Sequence, residues 1–212
     1  MNVKERCCEP PVYILCSYDI TTTHTVVRKT ERDYPMANHV YVGTSLDGYI
    51  ADPDGGLDWL QQLPNPDKND FGWAEFISGI DAIVMGRNSY ETVLSCGGWP
   101  YQVPVFVLSN SMDAVSEEMK GKAEIIKGAP HAIIERLNAQ GYNNLYIDGG
   151  ITIQSFLEAD LIDIITITRI PVLLGGGTPL FGALTKRHWF NHIDTKVLCG
   201  ELVQSRYSRK TE

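Results

Sequence analysis

Two runs of this chain, Ala82-Ile83-Val84-Met85 and Val103-Pro104-Val105-Phe106-Val107-Leu108, are almost wholly apolar, and each gives way at once to a turn. Runs this short and uniform suit strands buried on both faces of a sheet, which arise where helices cover both faces of a parallel one. The rest of the chain repeats the pattern. Strands are expected at 39–45, 81–85, 103–109, 123–127, 144–148, 162–170 and 196–208, the last broken by a bend or bulge. Between them Phe71–Ile80, Ser89–Val93, Pro130–Gln140 and Ile151–Ala159 space their apolar residues by three and four, as helices do. Strand alternating with helix predicts an α/β architecture.

With 212 residues, 43% of them hydrophobic, the chain can bury one sizeable core. Lys and Arg total 18 against 26 Asp and Glu, a formal net charge of −8 that argues against a nucleic-acid partner. No stretch approaches the roughly 20 apolar residues of a membrane helix, so no membrane partner is expected either. Residues 1–36 carry five bases and five acids, so the whole acidic excess falls in 37–212. Cys7, Cys8 and Cys16 sit in that leader, while Cys96 and Cys199 show neither metal-ligand nor disulfide spacing. The apolar run Val12–Cys16 is too short for a signal peptide. The expectation is a reducing, cytoplasmic setting, with 1–36 a leader outside the core fold, 37–212 one domain, and Met36 the natural start.

Ligands of open α/β sheets bind beyond the carboxyl ends of the strands, so chemistry is sought in the turns. After the strand at 81–85 comes Gly86-Arg87-Asn88-Ser89, where a glycine permits close backbone approach, a helix start presents free N–H groups, and Arg87 offers a planar cation for phosphate. After 144–148 comes Asp148-Gly149-Gly150-Ile151-Thr152, again a glycine turn opening a helix. Each turn alone also reads as a tight strand-to-helix connection. The histidines stand without the Cys or carboxylate neighbours of a metal site, and no metal is expected.

Taken in order, VGTSLDGYIA, IVMGRNSYETV, VFVLSNS, LYIDGGITIQSFL and IITITRIPVLLGGGTPLFG resemble the reductase superfamily that includes dihydrofolate reductase and the riboflavin-biosynthesis deaminase/reductase. The resemblance spans 39–208, and SLDGYIA with PVLLGGGTPLF is most similar to the riboflavin-type reductase domain and its stand-alone relatives. It implies a dihydrofolate reductase-like three-layer sandwich: a mainly parallel mixed sheet, helices on both faces, an antiparallel C-terminal strand. It also implies an NADPH site, which falls here on Val42, Gly43, Ile50, Ala51, Gly86, Arg87, Asn88, Ser89, Leu108, Ser109, Asn110, Asp148, Gly149, Gly150, Ile151 and Thr152. One departure is Ile151, where dihydrofolate reductases often carry a base.

For catalysis the resemblance points first to a carboxyl on the first helix, and Asp70, 15 residues before Met85, fits that register. Asp70 also reads as a helix cap. Asp47, in SLDG, is a second carboxylate at the ligand end of the sheet, or a turn residue bonding its own backbone. Trp59, in the loop expected to close over nicotinamide, reads equally as a lid ring or as an aromatic pinning the loop to the core.

The implied function is an NADPH-dependent reductase of a small heterocyclic or sugar-derived substrate, resembling 5-amino-6-(5-phosphoribosylamino)uracil reductase. The alternatives are a genuine dihydrofolate reductase and a non-catalytic nucleotide-binding protein. Against dihydrofolate, no Lys or Arg occurs from Asn88 to Met119, and Val103 stands where an arginine would clamp a glutamate tail. Leu173–Phe181 is expected to be a structural loop. By analogy with the riboflavin-type branch that region lies near a subunit contact, and with the apolar strand Ile164–Ile170 it suggests a homodimer.

Overall fold

The computed structural model describes residues 36–63, 65 and 69–210; the leader lies outside them except for Met36. In chain order the elements are β1 (Ala37–Thr44), β2 (Tyr49–Ala51), α1 (Asp58–Gln61), α2 (Trp73–Ser78), β3 (Ala82–Gly86), α3 (Arg87–Ser95), β4 (Val105–Leu108), β5 (Ala123–Ile126), α4 (Pro130–Ala139), β6 (Asn144–Asp148), α5 (Gly150–Glu158), β7 (Ile164–Arg169), β8 (Thr178–Pro179), β9 (Phe190–Leu198) and β10 (Leu202–Arg209). Eight strands form one sheet in the order β5-β4-β3-β6-β1-β7-β10-β9, and β2 pairs with β8 in a small ribbon. From β5 to β7 every pairing is parallel. β10 runs antiparallel to both β7 and β9.

Alternation along each inner strand feeds two apolar layers. Val40, Val42, Val84 and Ile147 pack with Ile133, Leu137, Ile153 and Phe156 of α4 and α5. Tyr41, Ile83, Met85 and Tyr146 face the other way and pack with Trp73 and Phe76 of α2 and Tyr90 and Val93 of α3. Helices therefore cover both sheet faces, the three-layer arrangement expected, and fully burying each such side chain stabilises the fold by about 1.5–3 kcal/mol.

Several boundaries differ from the sequence reading. α2 begins at Trp73 rather than Phe71, because Phe71 (φ 56°) and Gly72 (φ 90°) take left-handed conformations that a helix does not continue. β4 starts at Val105, since Pro104 has no N–H to give a ladder and serves only as acceptor for the Ile83 N–H at 2.9 Å. The single bent strand expected at 196–208 is a hairpin of β9 and β10, turned at the left-handed pair Cys199 (φ 50°) and Gly200 (φ 77°). The loop 173–181 is irregular as expected, apart from the two residues of β8. β7 lies inside the sheet, and its apolar residues are consumed by packing within the chain. They are no longer an argument for a dimer.

Candidate active site

β3 and β6 are neighbours with Met85 opposite Asp148, so their turns leave the sheet side by side. Gly149 has a φ of 89°, and a Cβ there would overlap the Ser89 hydroxyl; a Cβ on Gly86 would fall 2.7 Å from Thr152 Oγ1. Glycine at both positions leaves room for these hydroxyls and lets the two turns pack together. Ser89 and Thr152, both buried, sit in the first turns of α3 and α5, each nine residues long. Two helix N-termini, with their free N–H groups and positive partial charge, thus open at one place.

Arg87 starts α3 with its guanidinium exposed, 3.5 Å from Glu91 and donating to Ser111 Oγ at 3.2 Å, which ties the turn after β3 to the turn after β4. In that second turn Ser109 is buried and its hydroxyl accepts from the N–H groups of Ser111 and Met112, so it shapes the turn, while Asn110 is exposed. The β2–β8 ribbon covers the start of α5: a Cβ on Gly150 would meet Ile50 Cδ1 at 2.9 Å and Thr178 Cγ2 at 3.0 Å. Gly177 crosses so close to the Ala51 carbonyl that no Cβ fits there. Gly86, Arg87, Ser89, Gly149, Gly150, Thr152 and Ile50 are therefore brought together. Of the others, Asn88 is exposed, Leu108 is half-buried, and Val42 turns its side chain into the α4–α5 core. Gly43 pairs with Thr168 inside the sheet, and Ile151 is 75% exposed beside the Gly149-Gly150 turn.

The three expected catalytic side chains are all occupied otherwise. Asp70 accepts from the N–H groups of Gly72 and Ala74, each at 3.0 Å, so it caps α2. In the first turn that follows it, Trp73 is buried and Ala74 exposed. Asp47 accepts the Ser45 hydroxyl at 2.6 Å and the N–H groups of Leu174 at 3.2 Å and Gly175 at 2.7 Å. The Ser45 hydroxyl above all, with those backbone donors, holds its carboxyl below the usual carboxylate range. Asp47 is a clamp joining the SLDG turn to the glycine-rich loop. Trp59 is buried with Phe71, Ile170 and Leu202, so it packs rather than covering the turns.

A group that sequence reasoning placed among the cofactor contacts has a different character. Asp148 ends β6 at 1% exposure, and burial pushes its carboxyl up to about 6, against the opposing pull of the Tyr146 hydroxyl and the Gly149 N–H. Tyr146 Oη lies 3.0 Å from Asp148 Oδ1 and 3.1 Å from the Tyr41 carbonyl, which can only accept. The Tyr146 hydroxyl donates to both acceptors, sharing its one proton between the Asp148 carboxyl and the Tyr41 carbonyl. Asp148 Oδ2 is buried with no partner. The sequence signal was available: a carboxylate closing a strand that is apolar on both faces is one whose charge must be paired or suppressed. Among the described residues no group of three His, Cys, Asp or Glu could hold a metal, and no helix is long and apolar enough to cross a membrane.

Comparison with known proteins agrees with this architecture. The family model described as the RibD C-terminal domain matches residues 39–202. The uncharacterized protein YwjB of Bacillus subtilis is 35% identical over 173 residues, covering 80% of this chain and 96% of that one. A putative riboflavin biosynthesis protein from Shewanella sp. PV-4 superposes with a TM-score of 0.81 at 52% identity, over 83% of this chain and all of that one. Dihydrofolate reductase from Enterococcus faecalis, solved with NADP(H), shares the fold at a TM-score of 0.58 and 15% identity, over 84% of this chain and 98% of that one. The chain belongs to the RibD C-terminal domain family, a reductase-like family built on the dihydrofolate reductase-like fold.

Proposed function

We propose that the chain is an NADPH-dependent reductase of a small heterocyclic or sugar-derived substrate. The observation that carries this reading is the meeting of two glycine-opened helix N-termini at Gly86 and Gly149, where a Cβ on either glycine would run into the Thr152 or Ser89 hydroxyl. The donors suit a dinucleotide: the first-turn N–H groups of α3 and α5 and the Arg87 guanidinium would take its phosphates, and the turn at Ser109 and Asn110 a ribose with its 2′-phosphate. Bound there, NADPH supplies hydride, chemistry that no side chain offers. The chain's own part is to align the rings, exclude water and manage a proton. Asp148, close enough to neutrality to hold its proton part of the time at physiological pH, is the proton donor of this reading. It takes that role in place of Asp70, whose two oxygens are spent on backbone.

Titrating NADPH and NADH into the protein tests the reading. NADPH is expected to bind and to raise the thermal midpoint, because a ligand of the native state stabilises it by mass action. Arg87→Ala should weaken NADPH binding by about 1–3 kcal/mol, the range of a charge-assisted hydrogen bond. Undiminished NADPH affinity in that variant takes Arg87 out of the site, and absence of NADPH binding removes the reading altogether.

A further inference from the structure

At the other end of the sheet, where the parallel strands begin, a cavity of about 680 Å³ is lined by Lys186, Arg187, His188, Arg209 and Lys210, with Asp160 and Trp189. The end is fixed by topology: β10 is antiparallel, so its last residue reaches the start of β7, and the Arg209 N–H donates to the Asp163 carbonyl at 2.7 Å. The Lys210 N–H donates to the Trp189 carbonyl at 2.8 Å and joins the two segments that supply the bases.

A chain of net charge −8 gathers here four permanent cations around one lining carboxylate. The nearby acids are already engaged. Asp160 takes Lys186 at 3.2 Å and His188 Nδ1 at 3.1 Å; Asp163 takes Arg209 at 2.8 Å; Glu158 takes the hydroxyl and N–H of Thr185. Arg187 and Lys210 have no ion-pair partner among the described residues. The His188 side chain is only 6% exposed, yet its Nε2 has no partner, and neither has the buried Nε of Arg209. The Arg209 Nε–H is a buried donor left unpaired, which costs free energy that an acceptor would recover. Beside them Trp189 is 69% exposed, an uncovered ring of the kind that stacks on a flat partner.

We propose that this cavity is a second ligand site, separate from the turns after β3 and β6, and that it takes a nucleoside phosphate. The phosphates sit among Arg187, Arg209 and Lys210, and the base lies on Trp189. The site does not depend on the reductase reading, since it shares no residue with it.

ADP and inorganic pyrophosphate, titrated calorimetrically into the full chain at low ionic strength, are the probes. ADP is expected to bind, with at least a tenfold loss of affinity in Arg187→Glu/Lys210→Glu and no comparable loss in Arg87→Ala. The charge-reversed pair should keep the wild-type NADPH affinity and thermal midpoint. Trp189→Ala should weaken ADP several-fold and leave pyrophosphate unchanged. No ADP binding, equal ADP affinity in the charge-reversed pair, loss of NADPH affinity in that pair, or ADP binding indifferent to Trp189→Ala would each overturn the proposal.

Discussion

Asp148 closes a strand whose residues are buried from Leu145 onward, and β3 and β1 flank it on either side. A charge there costs on the order of 3 kcal/mol, the free energy that corresponds to a carboxyl raised to about 6. Because the folded state holds the proton more tightly than the unfolded chain, this residue's contribution to stability is complete below about pH 4 and is lost as pH rises through 6. His39 works in the opposite sense. Burial, aided by the Arg206 charge, lowers it to about 4, so its contribution is complete above its ordinary value and is lost as pH falls toward 4. The two slopes offset each other across nearly the same window. Asp148→Asn is therefore expected to be no less stable than wild type near neutrality and to show stability rising with pH between 4 and 6.5, read by urea unfolding at a series of pH values. A difference curve without slope over that window contradicts the assignment. In turnover, Asp148→Asn should lower kcat by about 10²–10⁴, the usual worth of a general acid, while NADPH affinity stays near wild type. The apolar strand before Asp148 hints at its burial in the sequence, but how complete that burial is depends on β3 and β1, about 60 and 100 residues away in the chain, and only the pairing reveals it.

At the scale of elements, what was legible was what local pattern dictates. The apolar runs of β3 and β4 and the three-and-four spacing of α4 and α5 identify themselves, since burial on both faces or on one stripe leaves a mark in the sequence. β9 left none: most of Phe190–Leu198 is exposed on both faces, and its strand character comes from pairing with β10. β2 and β8 are held by partners about 130 residues apart, beyond any local period. Phe71 likewise reads as a helix residue, and only its left-handed backbone excludes it. The Asp47 clamp belongs to the same long-range class, fastening the SLDG turn to residues 174 and 175. Asp47→Ala should free that loop, making the Leu174 and Gly175 amides exchange at least about tenfold faster than in wild type while β3 and β6 stay protected. Unchanged exchange at both amides would remove the clamp from the account. Gly177→Ala, which brings a Cβ onto the Ala51 carbonyl at a φ of 128°, should destabilise the same ribbon.

For the whole molecule, we propose that the folding unit begins after the leader, a reading supported by the family match at 39–202 and the burial of Ala37 at the start of β1. A chain starting at Met36 is expected to stay soluble and to bind NADPH as the full chain does; aggregation of that protein would make the leader part of the fold or of a subunit contact. Two exposed apolar surfaces are open to a homodimer, the loop with Leu173 and Phe181 and the hairpin with Ile193, Val197 and Val203, and sedimentation of wild type against Leu173→Asp and Val197→Asp would show whether either is used. Dihydrofolate is expected to be a poor substrate, since Val103 is half-buried against the α2–α3 core and no Lys or Arg lies between Asn88 and Met119 to clamp a glutamate tail. In the proposed function, cofactor bound across Gly86 and Gly149 is used for reduction. Its most direct measurement is steady-state NADPH oxidation by the full chain against pterins, pyrimidines and small carbonyls, dihydrofolate among them. Oxidation is expected with at least one neutral heterocycle or carbonyl, abolished or greatly slowed in Asp148→Asn, and little with dihydrofolate. NADPH that binds but is oxidised with none of them would rule out a reductase and leave a nucleotide-binding protein in its place.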